Sequence, residues 1–233
     1  FLQFIHDIMK KFYLLLAAVL FSVSLHAQSV IESSINSFSR IRVSGNIAIT
    51  VTRGDSLKIK AELQNIASDR FEWNVRDNEL SIKLKQPFNS PKGSAIVAVS
   101  YDMLESIVVD GGATFLSNGA IRSDLLSLDA SSRSVVSIEA ETRDLSLVAG
   151  NSSVTVKGYV EYLTIKANAN ASVNTVTMEC QNATVTTASN AECYVSAEKR
   201  LEGRATTNST IYYKGAPEIV KTSTSTLGSI ESF

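Results

Sequence analysis

The sequence predicts an all-β protein, and within that class a right-handed parallel β-solenoid with coils of about 19 residues. Three observations lead to this prediction. A segment of the form apolar-x-apolar recurs at a nearly constant interval from residue 107 onward, a corner of small residues follows most copies, and the region before residue 104 alternates apolar and polar residues. A fixed period of this size is typical of stacked coils, and strict alternation is typical of strands with one buried side.

The recurring segments begin 19, 19, 18, 20, 18 and 18 residues apart. They are Ile107-Val108-Val109, Leu126-Ser127-Leu128, Leu145-Ser146-Leu147, Leu163-Thr164-Ile165, Ala183-Thr184-Val185, Leu201-Glu202-Gly203 and Ile219-Val220-Lys221. One coil cannot cover its own apolar side chains, so its neighbours must do so. We therefore expect Leu128, Leu147, Ile165 and Val185 to form one internal column, in which each buried aliphatic side chain contributes about 1.5–3 kcal/mol.

The corners between the repeats consist of small and polar residues, among them Ser131-Ser132-Arg133-Ser134, Asn151-Ser152-Ser153 and Asn168-Ala169-Asn170. A corner of a narrow solenoid brings backbones close together and often needs unusual backbone angles. Small residues and Asn adopt such angles at low cost. The corner composition therefore supports the solenoid.

The two cysteines are Cys180 and Cys193. An exported protein would permit a disulfide between them. However, Cys193 stands where the earlier coils have Val154 and Val173, which should point inward. We therefore interpret Cys193 as a small buried residue rather than half of a disulfide.

The region from residue 28 to residue 103 is strand-rich but lacks the clean period. Its alternating segments are Ile41-Arg42-Val43, Ile47-Ala48-Ile49-Thr50-Val51, Leu57-Lys58-Ile59, Phe71-Glu72-Trp73-Asn74-Val75, Leu80-Ser81-Ile82-Lys83-Leu84 and Ile96-Val97-Ala98-Val99. We expect few or no helices, with one short turn near Ile66 to Arg70. The predicted organisation is a β-rich N-terminal region at residues 28–103 followed by a solenoid at residues 104–233.

Residues 1–27 are interpreted as upstream sequence and a secretory signal peptide. Met9-Lys10-Lys11 is a basic start, the stretch from Phe12 to Leu25 is almost wholly apolar, and cleavage is expected after Ala27. A single spanning helix is disfavoured because the apolar run is shorter than the roughly 20 residues that a bilayer needs. We therefore expect export to the periplasm, the outer surface or the extracellular space, with no transmembrane segment in the mature chain.

Composition excludes several classes of activity. Both histidines, His6 and His26, lie in the segment predicted to be removed, so the usual His-containing triads and metal sites are not expected. Gly-rich nucleotide loops are absent, and a net charge of −1 provides no basic surface for nucleic acid. We therefore expect no metal, no cofactor and no nucleic-acid partner. Carboxylate chemistry stays open, since glycosidases need only two acids.

Two groups of residues are candidates for binding. With the repeats aligned as above, Asp110 and Asp129 have the same phase, which predicts that they stack about 4.8 Å apart as a cation site or a carboxylate pair. Two solvated acids at strand ends are the favoured alternative. Tyr194, Tyr212 and Tyr213 cluster near the C-terminus. Exposed aromatic rings stack on sugars or anchor a protein partner, but here we favour a role in packing and capping the last coils.

Several local motifs resemble the DUF2807 family of secreted bacterial proteins, the auto-transporter adhesin head GIN domains. Phe38-Ser39-Arg40-Ile41-Arg42-Val43-Ser44-Gly45 is similar to the opening strand of the family, Val51-Thr52-Arg53-Gly54-Asp55 to the following turn, Asp77-Asn78-Glu79-Leu80-Ser81-Ile82 to its hairpin, and Tyr213-Lys214-Gly215-Ala216-Pro217 to its late motif. The corners depart from the Ser-Gly-Ala-Ser that is usual there. The resemblance implies an all-β, solenoid-like fold and brings no catalytic residues.

These observations favour a non-enzymatic, secreted or cell-surface module with an adhesin-like binding or structural role, whose partner is a glycan or a cell-surface protein. A carbohydrate-active enzyme that uses carboxylates on one solenoid face is the second hypothesis. A periplasmic scaffold or component of the envelope-stress response is the third.

Overall fold

The structure, a computed structural model, describes residues 29–85 and 93–233. These residues form strands and a single short 3₁₀ turn at Ser68–Arg70, and they contain no α-helix. The strands are β1 (Ser29–Ser34), β2 (Arg40–Ser44), β3 (Ile47–Arg53), β4 (Lys58–Gln64), β5 (Phe71–Arg76), β6 (Glu79–Leu84), β7 (Ser94–Tyr101), β8 (Ser106–Asp110), β9 (Thr114–Ser131), β10 (Val135–Gly150), β11 (Ser153–Asn168), β12 (Ser172–Thr175), β13 (Met178–Thr187), β14 (Glu192–Ser196), β15 (Arg200–Thr206), β16 (Thr210–Lys214), β17 (Ile219–Ser225) and β18 (Ser229–Ser232). The predicted all-β class and the short turn are confirmed.

The strands stack into two main faces joined by a corner. The first face runs β5–β6–β2–β8–β9–β10–β11–β13–β15–β17, and the second runs β1–β4–β7–β3–β9–β10–β11–β12–β14–β16–β18. Strands β9, β10 and β11 are 16 to 18 residues long and take part in both faces. All pairings from β8 onward are parallel, so the predicted parallel solenoid is confirmed.

Antiparallel strands close the N-terminal end of the stack. Strand β5 pairs with β6 as a hairpin on the first face, and β4 lies between β1 and β7 on the second. Strand β2 is inserted between β6 and β8 by parallel pairings on both sides. The sheet is therefore continuous across residues 103 and 104, and the division of the chain at that point stays a prediction.

The internal column has the predicted composition. Leu147 pairs with Leu128 on one side and with Ile165 on the other, and Ile165 pairs with Val185. All four side chains are at most 1% exposed. The column continues into the N-terminal region, where its members are Ile107, Ile41 and Leu80. Parallel pairing satisfies the backbone groups of each coil through its neighbours, so the interior depends on the whole stack.

Two of the predicted intervals are wrong. Ile107 pairs with Leu128 rather than with Leu126, so the first interval is 21 residues instead of 19. At the other end Leu201 pairs with Val220, so the last interval is 19 residues instead of 18. The first error has a physical cause: β9 contains two extra residues between Leu116 and Ala120, opposite a register shift between Ser137 and Glu139 of β10.

The corner from the first face to the second has left-handed backbone in every coil. The residues with positive φ there are Gly111 and Gly112, Ser132 and Arg133, Asn151, Ala169 and Asn170, Ser189 and Asn190, Thr207 and Asn208, and Thr226 and Leu227. This agrees with the expectation that small residues and Asn supply unusual angles, with Arg133 and Leu227 as exceptions that need the strain to be offset elsewhere. The segment interpreted as a signal peptide and the loop at residues 86–92 lie outside the described residues.

Candidate functional site

The outward side chains of the first face form straight rows that run along the solenoid axis. One row begins with four hydroxyl-bearing residues on successive strands, Ser127, Ser146, Thr164 and Thr184. It then continues in register through Glu202 of β15 and Lys221 of β17. Because parallel strands lie about 4.8 Å apart, the six side chains form a row about 24 Å long.

A groove of about 320 Å³ lies at the C-terminal end of this face. One wall is the row just described, at Thr184, Glu202 and Lys221, and the other is the next outward row. The second wall consists of Thr186, Arg204 and Ser223, and the floor consists of Val185, Gly203 and Thr222. The groove is therefore open along its length and parallel to the solenoid axis.

The groove carries an excess of positive charge. Arg200 donates hydrogen bonds to Oε1 of Glu202, and its Nε lies 3.1 Å from that oxygen. The pKa of the Glu202 carboxyl is lowered, first by this hydrogen bond and then by the charge of Arg200, with a further contribution from Lys221. By contrast, neither Arg204 nor Lys221 lies within ion-pair distance of an acidic group in the described part of the chain.

The predicted stacking of Asp110 on Asp129 is wrong. Asp129 pairs with Val108 on one side and with Val148 on the other, whereas Asp110 pairs with Ser44 of β2. The cause is the 21-residue interval described above, which moves the two carboxylates out of register. Further along the row of Asp129 comes Lys166, as the sequence predicted. Whether either aspartate binds a ligand stays a prediction.

The three tyrosine candidates do not share one environment. Tyr194 and Tyr212 point outward from neighbouring strands of the second face, with ring centroids 4.8 Å apart and planes 15° from parallel. Phe233 contacts the Tyr194 ring edge-on, with centroids 6.4 Å apart. Tyr213 instead packs against the hydrophobic core, at the end of the position that Val195 fills one coil earlier. Each ring of the outward pair covers one face of the other.

A ladder of asparagine side chains, which sequence reasoning missed, runs along the left-handed corner. The amide of Asn208 donates to Oδ1 of Asn190 at 2.9 Å, and the amide of Asn190 donates to Oδ1 of Asn170 at 3.2 Å. The signal that would have revealed it is the recurrence of Asn at intervals of 20 and 18 residues, which matches the coil length. The ladder fixes the register of three neighbouring corners.

Both cysteines are free thiols in the interior. Cys193 pairs with Val173 and Ile211, at the inward position that the sequence predicted. Cys180 is buried beside Val160, and its thiol lies 3.5 Å from the carbonyl oxygen of Asn182. Burial raises the pKa of each thiol to about 12, so neither is a nucleophile at neutral pH.

In the part of the chain that the structure describes, no group of three or more His, Cys, Asp or Glu side chains is arranged to hold a metal ion. Across residues 29–85 and 93–233, no helix has the length and apolar character needed to cross a membrane.

Comparison with known proteins agrees with this architecture. The DUF2807 family model, described as "Putative auto-transporter adhesin, head GIN domain", matches residues 37–217. No curated protein matches the chain significantly.

Solved structures of low sequence identity have the same fold. A "putative adhesin" from Bacteroides fragilis aligns with a TM-score of 0.78 and 15% identity, over 89% of this chain and 99% of that chain. A "putative adhesin" from Parabacteroides merdae aligns with a TM-score of 0.69 and 18% identity, over 88% and 95%. One from Parabacteroides distasonis aligns with a TM-score of 0.70 and 17% identity, over 90% and 98%. At these identities the similarity concerns the fold alone.

Proposed function

The chain belongs to the family described as "Putative auto-transporter adhesin, head GIN domain", and from this membership we propose that it is a secreted or cell-surface module that binds without catalysing a reaction. Its ligand is a glycan or a surface protein, which the module contacts with the outward rows of its solenoid. The stack is the scaffold, and the outward side chains provide the recognition.

The observation that carries this proposal is the row of hydroxyl side chains on the first face. Ser127, Ser146, Thr164 and Thr184 repeat one kind of hydrogen-bonding group at the interval of the strands. An open, regular surface of this kind suits an extended partner that repeats along its own length. A small substrate, in contrast, is usually held in a concave and mostly apolar pocket.

The arrangement of the acidic residues supports a binding role over the carbohydrate-active alternative. That alternative relied on Asp110 and Asp129 as a stacked pair, and the two residues pair instead with Ser44 and Val108. The buried cysteines, whose thiols have a raised pKa, provide no nucleophile either.

The experiment that tests the proposal combines retention with turnover. Purified protein is passed over a panel of immobilised polysaccharides and intact bacterial cells, and the eluate is assayed for released saccharide. We expect retention without product release, and retention that survives Asp110→Asn and Asp129→Asn. Product release that either substitution abolishes would identify an enzyme instead. Cell fractionation tests the export part, with the protein expected outside the cytoplasm.

A further inference from the structure

We propose that the groove between the Arg204 and Lys221 rows of the first face binds an acidic polysaccharide, a chain that carries carboxylate or sulfate groups. This inference rests on the proposed binding function and narrows its ligand to one chemical class. It concerns strands β11, β13, β15 and β17, which none of the sequence-predicted site residues occupies.

The charge of the groove is the first support. Lys166, Arg204 and Lys221 all point outward on this face, and none forms an ion pair with a described residue. The one carboxylate of the groove, Glu202, already accepts hydrogen bonds from Arg200. A chain whose overall charge is −1 therefore carries a local cationic surface at this end of the solenoid.

The spacing of the three cations is the second support. Lys166, Thr186 and Arg204 are consecutive members of one row, which places the two cations two strands, or about 10 Å, apart. Lys221 lies one strand further on and two residues along, about 8 Å from Arg204. The cations thus follow the axis over about 14 Å, which suits the regularly spaced charges of an extended polyanion.

The polar groups between the cations are the third support. Thr184, Thr186 and Ser223 line the groove with hydroxyl groups, which both donate and accept hydrogen bonds. A neutral hydroxyl suits the many hydroxyls of a sugar chain. An exposed guanidinium such as that of Arg204 presents a planar fork of donors to a carboxylate or a sulfate. Cations and hydroxyls together fit an acidic glycan better than an apolar peptide or a lipid surface, which would need exposed apolar side chains.

The test uses the full chain and four probes: polygalacturonate for carboxylates, dextran sulfate for sulfates, neutral dextran, and vesicles of phosphatidylglycerol. Binding is measured by biolayer interferometry with the wild type, Arg204→Gln, Lys166→Gln and Lys214→Gln. Lys214 is the matched control, because its substitution changes the net charge equally but lies on the second face. Circular dichroism confirms that each variant is folded.

We expect binding to at least one acidic polysaccharide and none to neutral dextran. Arg204→Gln and Lys166→Gln should each weaken it about fivefold, and Lys214→Gln should leave it unchanged. Raising NaCl from about 0.1 M to about 1 M, which shortens the Debye length from ~10 Å to ~3 Å, should abolish it. The stronger of the two polyanions identifies the anionic group.

Other results overturn the inference. Equal binding to neutral dextran, or binding that Arg204→Gln and Lys166→Gln leave intact, would refute the groove while the proposed binding function stands. Binding to the vesicles but not to either polyanion would refute the ligand class. Failure to bind any probe, together with failure to be retained on cells, would refute the proposed function itself.

Discussion

The side-chain amide of Asn208 donates a hydrogen bond to Oδ1 of Asn190, one coil earlier, and the two nitrogen and oxygen atoms lie 2.9 Å apart. Asn190 in turn donates to Asn170. Each of these residues has positive φ, between 55° and 63°. Asparagine therefore performs two tasks at this corner: it tolerates the left-handed backbone, and it links neighbouring coils through its side chain.

Substitutions at Asn190 separate these two contributions. Asn190→Gly keeps the backbone conformation and removes both ladder hydrogen bonds, so the free energy of unfolding should fall by about 1 kcal/mol. Asn190→Ala should cost about 1 kcal/mol more, because alanine disfavours the left-handed region. Urea unfolding measures both values. A glycine variant as stable as the wild type would show that the ladder contributes nothing.

The internal column is tested at its centre. Leu147 is fully buried between Leu128 and Ile165, so Leu147→Asp places an unpaired charge in the core and should cost several kcal/mol. Because each coil relies on its neighbours, we expect the repeat region to unfold as a unit, which circular dichroism and the urea transition would detect. Leu125→Asp is the control, since that side chain is 56% exposed. A Leu147→Asp protein with an unchanged cooperative transition would contradict the role of the column.

Gly203 creates a space in the column that the last coil fills. A Cβ at this position would lie 3.2 Å from Cδ1 of Ile230 and 3.6 Å from Cδ1 of Ile211. Gly203→Val should therefore displace Ile230 and destabilise the protein by about 1–3 kcal/mol. Amide hydrogen exchange should accelerate mainly in β17 and β18. In the control Gly54→Val, nothing lies within 4 Å of the added Cβ, and exchange in β18 should not change.

The pair of Arg122 and Glu141 on adjacent coils makes a prediction about pH. Two hydrogen bonds, of 2.7 Å and 3.2 Å, and then the charge of Arg122 lower the pKa of the Glu141 carboxyl from its ordinary value of 4.5. The stabilisation from this pair is present above pH 4.5 and is lost as the pH falls through the lowered value. Because both side chains are exposed, the effect on stability should be small. In NMR titration of Arg122→Gln, the Glu141 pKa should rise toward 4.5; a titration curve that does not move would disprove the assignment.

The thiols of Cys180 and Cys193 should be unreactive in the native protein. Burial raises the pKa of each to about 12, so almost no thiolate exists at pH 8. We expect Ellman's reagent to detect no thiol before denaturation and both thiols in guanidinium chloride. Rapid reaction of either thiol in the folded protein would mean that its coil opens readily.

Much of the architecture was determined by the sequence alone. The recurrence of apolar-x-apolar segments specified which side chains point inward, and the column from Leu128 to Val185 follows from it. The inward position of Cys193 and the composition of the corners were readable for the same reason, because side-chain direction in a strand alternates strictly with a period of two.

What only the tertiary structure decided is the register between coils. Ile107 pairs with Leu128 rather than with Leu126, and this two-residue difference separates Asp110 from Asp129. A slip of two residues leaves every inward side chain inward, so the hydrophobic pattern cannot detect it. The outward rows, including the asparagine ladder and the cationic groove, depend on that same register, because they join residues of different coils. A pattern of burial therefore specified the interior of this protein, and the hydrogen-bonded pairing of its strands specified the surface.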